Sequence, residues 1–232
     1  MFFLVSAVPV VAVTQSLTGS TGYFNIPSAE LYPDATIYAG ANYFDKADMP
    51  FGKYKYPGVG AFVTMTFLPF MEGTIRYTRL VGPEVDHSST VGDRMATARF
   101  RFLRERKYRP AMLIGFQNFF TTLSSGNASH FNSTYLVMTK NIRPEKVFRE
   151  IGLTAGYGVE LFKSADYQFI GFFGGMKLVF RKLEFLELMV EYDADKWNTG
   201  ARLTLFKHFA LLGGMLGMKH FSGGASYRFQ LP

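Results

Sequence analysis

The chain contains no cysteine, which excludes disulfide staples, thiolate catalysis, cysteine zinc sites and iron–sulfur clusters. No stretch approaches the ~18 to 20 consecutive apolar residues of a membrane helix, so a helical membrane protein is excluded. Charged residues are few, 19% against 48% hydrophobic, a balance that excludes a disordered chain. Histidine is scarce at four and tryptophan occurs once. What is abundant is Phe (25), Tyr (13) and Gly (23) in 232 residues. That combination suits a β protein showing aromatic surface to lipid, on a chain long enough for one domain or two small ones.

No Lys or Arg precedes Lys46, and Met1 to Ala12 reads MFFLVSAVPVVA. Two readings fit this apolar start. One is a secretory signal lacking its basic region, occupying residues 1–16 with cleavage near Ala12 or Ser16; the other is an N-terminal strand.

From Ala35 onward the pattern has a period of two. Ile37, Ala39, Ala41 and Tyr43 alternate with Thr36, Tyr38, Gly40 and Asn42. Val59, Ala61, Val63 and Met65 alternate with Gly60, Phe62, Thr64 and Thr66. Leu186, Leu188, Val190 and Tyr192 alternate with Glu187, Met189, Glu191 and Asp193. Side chains alternate faces along a strand, so each run has one apolar and one polar face. Twelve runs of about ten residues, the length a tilted strand needs to cross a bilayer, fall at 35–44, 57–67, 72–81, 94–104, 109–119, 132–141, 150–159, 168–180, 183–193, 197–206, 208–217 and 222–231. Those at 109–119, 168–180 and 208–217 alternate poorly. The first, third, fifth and seventh connections are long, whereas the second, fourth, eighth and tenth are short; the alternation fades toward the C-terminus. A soluble β-sandwich also alternates. It does not place Arg and Glu with many Gly on one face in strand after strand, with long and short loops in turn. The expected fold is therefore all-β, a transmembrane antiparallel barrel of about twelve strands over residues 35–232, with 17–34 as an N-terminal plug or segment skirting the periplasmic mouth.

The net charge of +7 is concentrated in the short turns. Arg104, Arg106, Lys107, Arg109, Arg143, Lys146, Arg149, Arg181, Lys182 and Lys207 stand there against Glu105 and Glu145, a surplus of eight. Basic residues scattered over separate turns, with no helix-turn-helix pattern, do not point to nucleic acid. They form a basic rim for anionic lipid or an acidic periplasmic partner, or simply solvated turns.

The polar face would carry Arg76, Arg99, Arg101, Lys140, Lys177, Glu187, Glu191 and Arg202 into the lumen. A charge in a narrow lumen must be paired or hydrated. Glu191 and Arg202 are expected to pair across a hairpin, while Arg76 and Arg99 share a sign and want an anion or a nearby Glu. Inward Gly40, Gly60, Gly152, Gly156 and Gly158 would make room for residues 16–33. These charges either stiffen the barrel or serve an anionic glycan.

Catalytic signals are thin. His130 lies near Ser125, Ser129 and Ser133, but no Gly-x-Ser-x-Gly elbow is present; His87, His208 and His220 are scattered. Glu187 and Glu191 lie four apart on one strand, about 13 Å by strand rise, beyond the glycosidase range. Asp166, Asp193 and Asp195 could hold calcium weakly, though solvated loop acids are the simpler reading. Asn127-Ala-Ser129 and Asn132-Ser-Thr134 match the glycosylation pattern by chance. No metal, cofactor or catalytic residue is assigned, and the chain is expected not to be an enzyme.

One resemblance runs along the chain. Leu17 to Asp34 reads LTGSTGYFNIPSAELYPD, a Gly-x-x-Gly followed by Pro-Ser-Ala and Pro-Asp. After it come GDRMATARFRFLRERKYRPAMLIGFQNFF (92–120), YLVMTK (135–140), GLTAGYG (152–158) and VEYD (190–193). In this order they resemble the YjbH family of outer-membrane β-barrel proteins, linked to exopolysaccharide production and secretion in Gram-negative bacteria. Members of that family are several times longer, and this chain resembles one barrel-like region of them. It has Gly115-Phe-Gln-Asn118 and Met138-Thr139 where other residues are expected. The resemblance implies a non-enzymatic outer-membrane scaffold or conduit for exopolysaccharide, in contact with outer-membrane lipid, polysaccharide and periplasmic export proteins. A small solute-selective pore and a lipid-acting enzyme are the alternatives.

Overall fold

The computed structural model describes residues 15–49, 56–82, 94–121, 129–144 and 146–231. The apolar start before Gln15, and with it most of the signal expected over 1–16, lies outside the described residues, as do His87, Ser125, Asn127 and Glu145.

Twelve strands form: β1 Thr36–Phe44, β2 Gly58–Thr66, β3 Met71–Leu80, β4 Met95–Leu103, β5 Ala111–Phe120, β6 Ser133–Ile142, β7 Phe148–Val159, β8 Gly171–Phe180, β9 Leu183–Tyr192, β10 Trp197–Leu205, β11 Phe209–Leu216 and β12 His220–Gln230. Each expected run has its strand. Every neighbour is antiparallel, and β12 returns to β1 with Thr36 opposite Gln230 and Tyr43 opposite Gly223, which closes the barrel. Closure gives every strand a neighbour on both sides. No α-helix occurs among the described residues; a 3₁₀ turn at Lys46–Asp48 is capped by the Asp45 carboxylate.

The largest departure from the expected bounds is in β8, which begins at Gly171 rather than at Gln168. Phe169 takes a positive φ of 60° and turns its ring onto Phe173, 5.7 Å between centroids, so Phe169 fills the barrel instead of extending the strand. In β5 the pairing jumps from Ala98↔Phe116 to Ala96↔Phe120. Asn118, with φ of 46°, occupies the bulge and turns inward beside Gln117.

Connections at the end where β1 starts and β12 finishes are tight. At β10–β11, the His208 N–H donates to the Leu205 carbonyl at 3.2 Å across Phe206 and Lys207, both at positive φ. Two left-handed central residues are what a tight hairpin of matching twist demands. At the other end, the loops after β1, β3, β5 and β7 are long, while those after β9 and β11 are short.

The polar face points inward and is buried; the apolar face points outward. Val63, Ile75, Leu136, Leu153, Val190 and Leu211 form an exposed aliphatic band. Exposed aromatics bound it at both ends: Tyr43, Phe120, Tyr157, Phe172, Trp197 and Phe221 toward the long loops, and Phe67, Phe102, Phe185, Phe206, Tyr227 and Phe229 toward the tight turns. An apolar band between aromatic girdles suits a bilayer.

The lumen is a packed core. The segment from Gln15 to Tyr32 is buried throughout. Leu17, Tyr23, Phe24, Ile26 and Leu31 pack with inward Leu113, Tyr135, Val137, Phe173, Met189 and Leu212. This segment does not skirt one mouth. It touches Asn42 and Asp193 near the long loops and Thr139 and Asn141 near the tight turns, so it spans the height of the barrel. Gly19 turns it at φ +88°, with the Phe62 ring where a side chain would stand. Of the inward glycines expected to make room for it, only Gly152 does so, facing the Tyr23 hydroxyl. Gly40, Gly60 and Gly156 accommodate Phe62, Phe44 and Phe173, and Gly158 the backbone at Phe169. A better seat was not expected: the Phe24 ring lies over Gly200 and reaches Gly214.

The exposed band generates a test. Ile75 is 61% exposed midway along β3, so Ile75→Arg should cost roughly 2–4 kcal/mol of folding stability in lipid bilayers, read by urea titration. Unheated protein should migrate differently from boiled protein in SDS gels.

Candidate functional site: a charged lumen clamped on the N-terminal segment

Strand parity delivers the buried charges to the lumen. In β4, Arg99 lies between outward Ala98 and Phe100 and pairs with Glu72 of β3, directly opposite in register, at 2.5 Å. In β10, Arg202 pairs with Glu187 of β9 at 2.7 Å. In β8, Lys177 lies 3.1 Å from Glu150 of β7 and 3.3 Å from Glu30 of the inner segment.

Each of these clusters also grips the inner segment. Arg99 donates to the Ser28 carbonyl, and Arg202 donates to the carbonyls of Gln15 (2.5 Å) and Tyr23 (3.0 Å). Glu72 accepts from the Thr21 N–H at 2.9 Å and from the Thr21 hydroxyl. Glu30 is held by Asn141 at 2.9 Å as well as by Lys177, whose ammonium lies over the Tyr23 ring at 5.7 Å.

Glu191 works differently. It has no cation within salt-bridge distance among the described residues. The inner segment makes a tight turn in which Tyr23 N–H donates to the Ile26 carbonyl at 2.9 Å. The N–H groups of Phe24, Asn25 and Ile26 at its tip converge on the Glu191 carboxylate at 3.1, 2.7 and 3.3 Å. Successive backbone N–H groups form a concave anion site, and here the wall supplies the anion. Asp193 beside it accepts from the Asn25 and Asn198 amides at 2.9 and 2.8 Å.

Several expected positions are therefore corrected. Glu191 does not pair with Arg202. The β9–β10 turn closes with Asp193 N–H donating to the Lys196 carbonyl, which sets Tyr192 opposite Trp197; Asn198 then faces Glu191 and Glu187 faces Arg202. Lys140 is not in the lumen. It shares the outward face of β6 with Leu136 and Met138, and at the tight-turn rim its ammonium meets Glu105 at 2.8 Å. Arg101 sits at the same rim and donates to the Pro69 carbonyl at 2.7 Å. Glu72, Glu150 and Glu30 were absent from the expected set. Extending the inward parity of β3 and β7 by one step, from Thr74 to 72 and from Gly152 to 150, exposes the first two; Glu30 had no strand pattern to reveal it.

The expected basic turns gather at the tight-turn end. Arg104, Arg106, Lys107, Arg143, Lys146, Arg181, Lys182 and Lys207 are exposed there, and Arg109 is half-buried beside them. Arg149 belongs to the start of β7 rather than to a turn and pairs with Glu184.

At the long-loop end, the Asn118 bulge holds the chain before β6: its amide donates to the carbonyls of His130 and Phe131, and its carbonyl accepts from the Ser129 hydroxyl. Asp166 caps the same chain through the Phe131 N–H and His130 Nδ1, at 2.8 Å for the latter. His130 thus has an orienting carboxylate, but the Ser129 hydroxyl is committed to Asn118. No cluster of three or more metal-ligating side chains occurs among the described residues. Beneath these loops lies a cavity of about 370 Å³, whose floor includes Thr18 and Asn25 of the inner segment.

Two measurements probe the clamp. Glu72→Gln leaves Arg99 buried without its counter-charge and should cost about 3–5 kcal/mol, whereas Glu72→Leu with Arg99→Met should recover much of that loss in denaturant titration. Glu191→Ala removes the shared acceptor of three buried N–H groups. The amides of Phe24, Asn25 and Ile26 should then exchange with deuterium about 10- to 100-fold faster, the equivalent of the 1–3 kcal/mol cost of an unsatisfied buried donor.

The YjbH family, described as exopolysaccharide biosynthesis protein YbjH, matches this chain over residues 14–168. That span is two thirds of the chain and runs from the inner segment through β7. No curated protein matches it significantly.

Proposed function

The chain belongs to the YjbH family of exopolysaccharide biosynthesis proteins, and from that premise we propose that it is a non-enzymatic outer-membrane barrel serving exopolysaccharide export as a gated scaffold or conduit. The observation that carries the proposal is the nature of the clamp. Residues 15–32 are held by wall carboxylates and guanidinium groups acting on backbone N–H and carbonyl groups. Buried ionic contacts come close to break-even against well-packed apolar ones. A plug held this way can be exchanged for another hydroxyl-rich, hydrogen-bonding chain at modest net cost. The same wall groups that grip peptide amides would serve the hydroxyls and carboxylates of a glycan.

In this reading the tight-turn end faces the periplasm, where its exposed basic side chains dock acidic surfaces of export partners and anionic lipid headgroups. The aromatic girdles hold the barrel in the outer membrane. A lumen filled by its own chain argues against a permanently open solute pore, the first alternative. The commitment of the Ser129 hydroxyl to Asn118 argues against a lipid-acting enzyme built on His130.

Planar-bilayer recording tests the gate. The full chain should give no steady current, and Glu72→Ala combined with Glu191→Ala should raise the open probability markedly. A steady current from the unaltered chain would favour the pore. Silence in both, with secretion of exopolysaccharide unaffected by the double variant in cells, would leave only a scaffold.

A further inference from the structure

Ten buried charged side chains line the lumen among the described residues, and nine have partners: cations with acids, Asp193 with amides, Glu191 with backbone N–H groups. The tenth is Arg76. It is 3% exposed on β3, and among the described residues its Nε and Nη2 have no hydrogen-bond partner and no carboxylate lies within salt-bridge distance. Its neighbours do not compensate it. Phe131 lies over the guanidinium at 5.4 Å. Asp166 attracts it from a distance, but its carboxylate is spent on His130 and on the Phe131 N–H. Burying a guanidinium without a counter-charge is unfavourable.

Arg76 borders the cavity at the long-loop end. Its volume of about 370 Å³ falls within the roughly 300–1,000 Å³ of small-ligand pockets. The other charges around it are accounted for: Asp48 holds Lys196, and Asp193 is saturated by Asn25, Asn198 and the turn N–H groups of Asp195 and Lys196. Glu160 and Asp195 stand exposed at the mouth. Among the described residues, the buried part of the cavity therefore carries one unpaired positive charge. Around it are the rings of Phe131 and Tyr167, the amide of Gln168 and, at the rim, the exposed carboxylates of Glu160 and Asp195.

We propose that this cavity binds a short segment of an acidic glycan, with a uronic-acid carboxylate engaged by Arg76. A guanidinium donates a charge-assisted hydrogen bond to a carboxylate. Apolar aromatic faces suit the C–H face of a sugar ring, and the rim carboxylates accept from its hydroxyls. A simple inorganic anion would satisfy Arg76 but would leave the aromatic walls and rim acids without purpose. The inference rests on the export reading for its choice of glycan, and it places a recognition site on the loop side of the plug.

Isothermal titration calorimetry on the full chain in detergent, with digalacturonate, neutral galactobiose and inorganic phosphate as probes, tests it. Digalacturonate should bind, and galactobiose should bind at least tenfold more weakly. Arg76→Met should lose at least tenfold in digalacturonate affinity while keeping heat-modifiable migration. Arg76→Lys, which keeps the charge and loses the fork, should fall between and serves if the Met variant does not fold. No binding of digalacturonate, equal binding by both variants and the parent, or phosphate binding as tightly as digalacturonate would overturn the proposal. Secretion in cells separates it from the export reading: binding with unchanged secretion in a deletion strain removes export and leaves the cavity, whereas lost secretion without binding removes the cavity alone.

Discussion

Everything inside this barrel depends on the rule that a charge removed from water must find a partner. Twelve strands close without an edge and bring inward the polar face of each. That face carries Arg99, Lys177, Arg202, Glu72, Glu150, Glu187 and Glu191 into a space with little room for water. Cross-strand neighbours neutralise most of them: Arg99 with Glu72, Arg202 with Glu187, Lys177 with Glu150. Carboxylates and guanidinium groups have more hydrogen-bonding capacity than one partner uses, and the backbone of residues 15–32 takes up part of the remainder. The inner segment is thus a structural consequence of the wall's charge pattern as much as of its apolar core around Phe24 and Phe173.

The two ends of the barrel differ in the way charge is handled. At the tight-turn end, basic residues remain solvated and exposed, or pair at the rim as Lys140 does with Glu105. At the long-loop end, the bulge at Asn118 and the Asp166 cap hold the chain before β6, and Arg76 is buried there with no counter-ion among the described residues. This exopolysaccharide family protein thus has a basic face at one end, a closed middle and, among the described residues, an unpaired buried cation at the other. The middle is held by contacts that are specific in geometry and modest in net strength.

Much of this architecture was legible along the chain. Period-two alternation in β1, β2 and β9 declared both faces before any coordinate, because side chains on a strand must alternate. The basic character of the tight turns followed from counting. Less was legible where an element departed from its own pattern. Phe169 reads as the start of a strand yet turns inward at positive φ, because the lumen beside Phe173 needed filling. Lys140 reads as inward by its charge, but parity with Leu136 and Met138 sends it outward, and its length lets it reach the rim.

The sequence by itself determined the all-β class, the number and placement of strands, and which residues share a face, since these rest on local alternation and on connection length. Only the tertiary structure decided who meets whom across the lumen. A single turn at Asp193–Lys196 sets the register that gives Glu187 rather than Glu191 to Arg202. The backbone amides that Glu191 receives come from a segment more than 160 positions away in the chain. Whether Arg76 has a partner is likewise a property of the closed barrel. Closure brings distant positions together, and no spacing along the chain encodes which buried charge is left over.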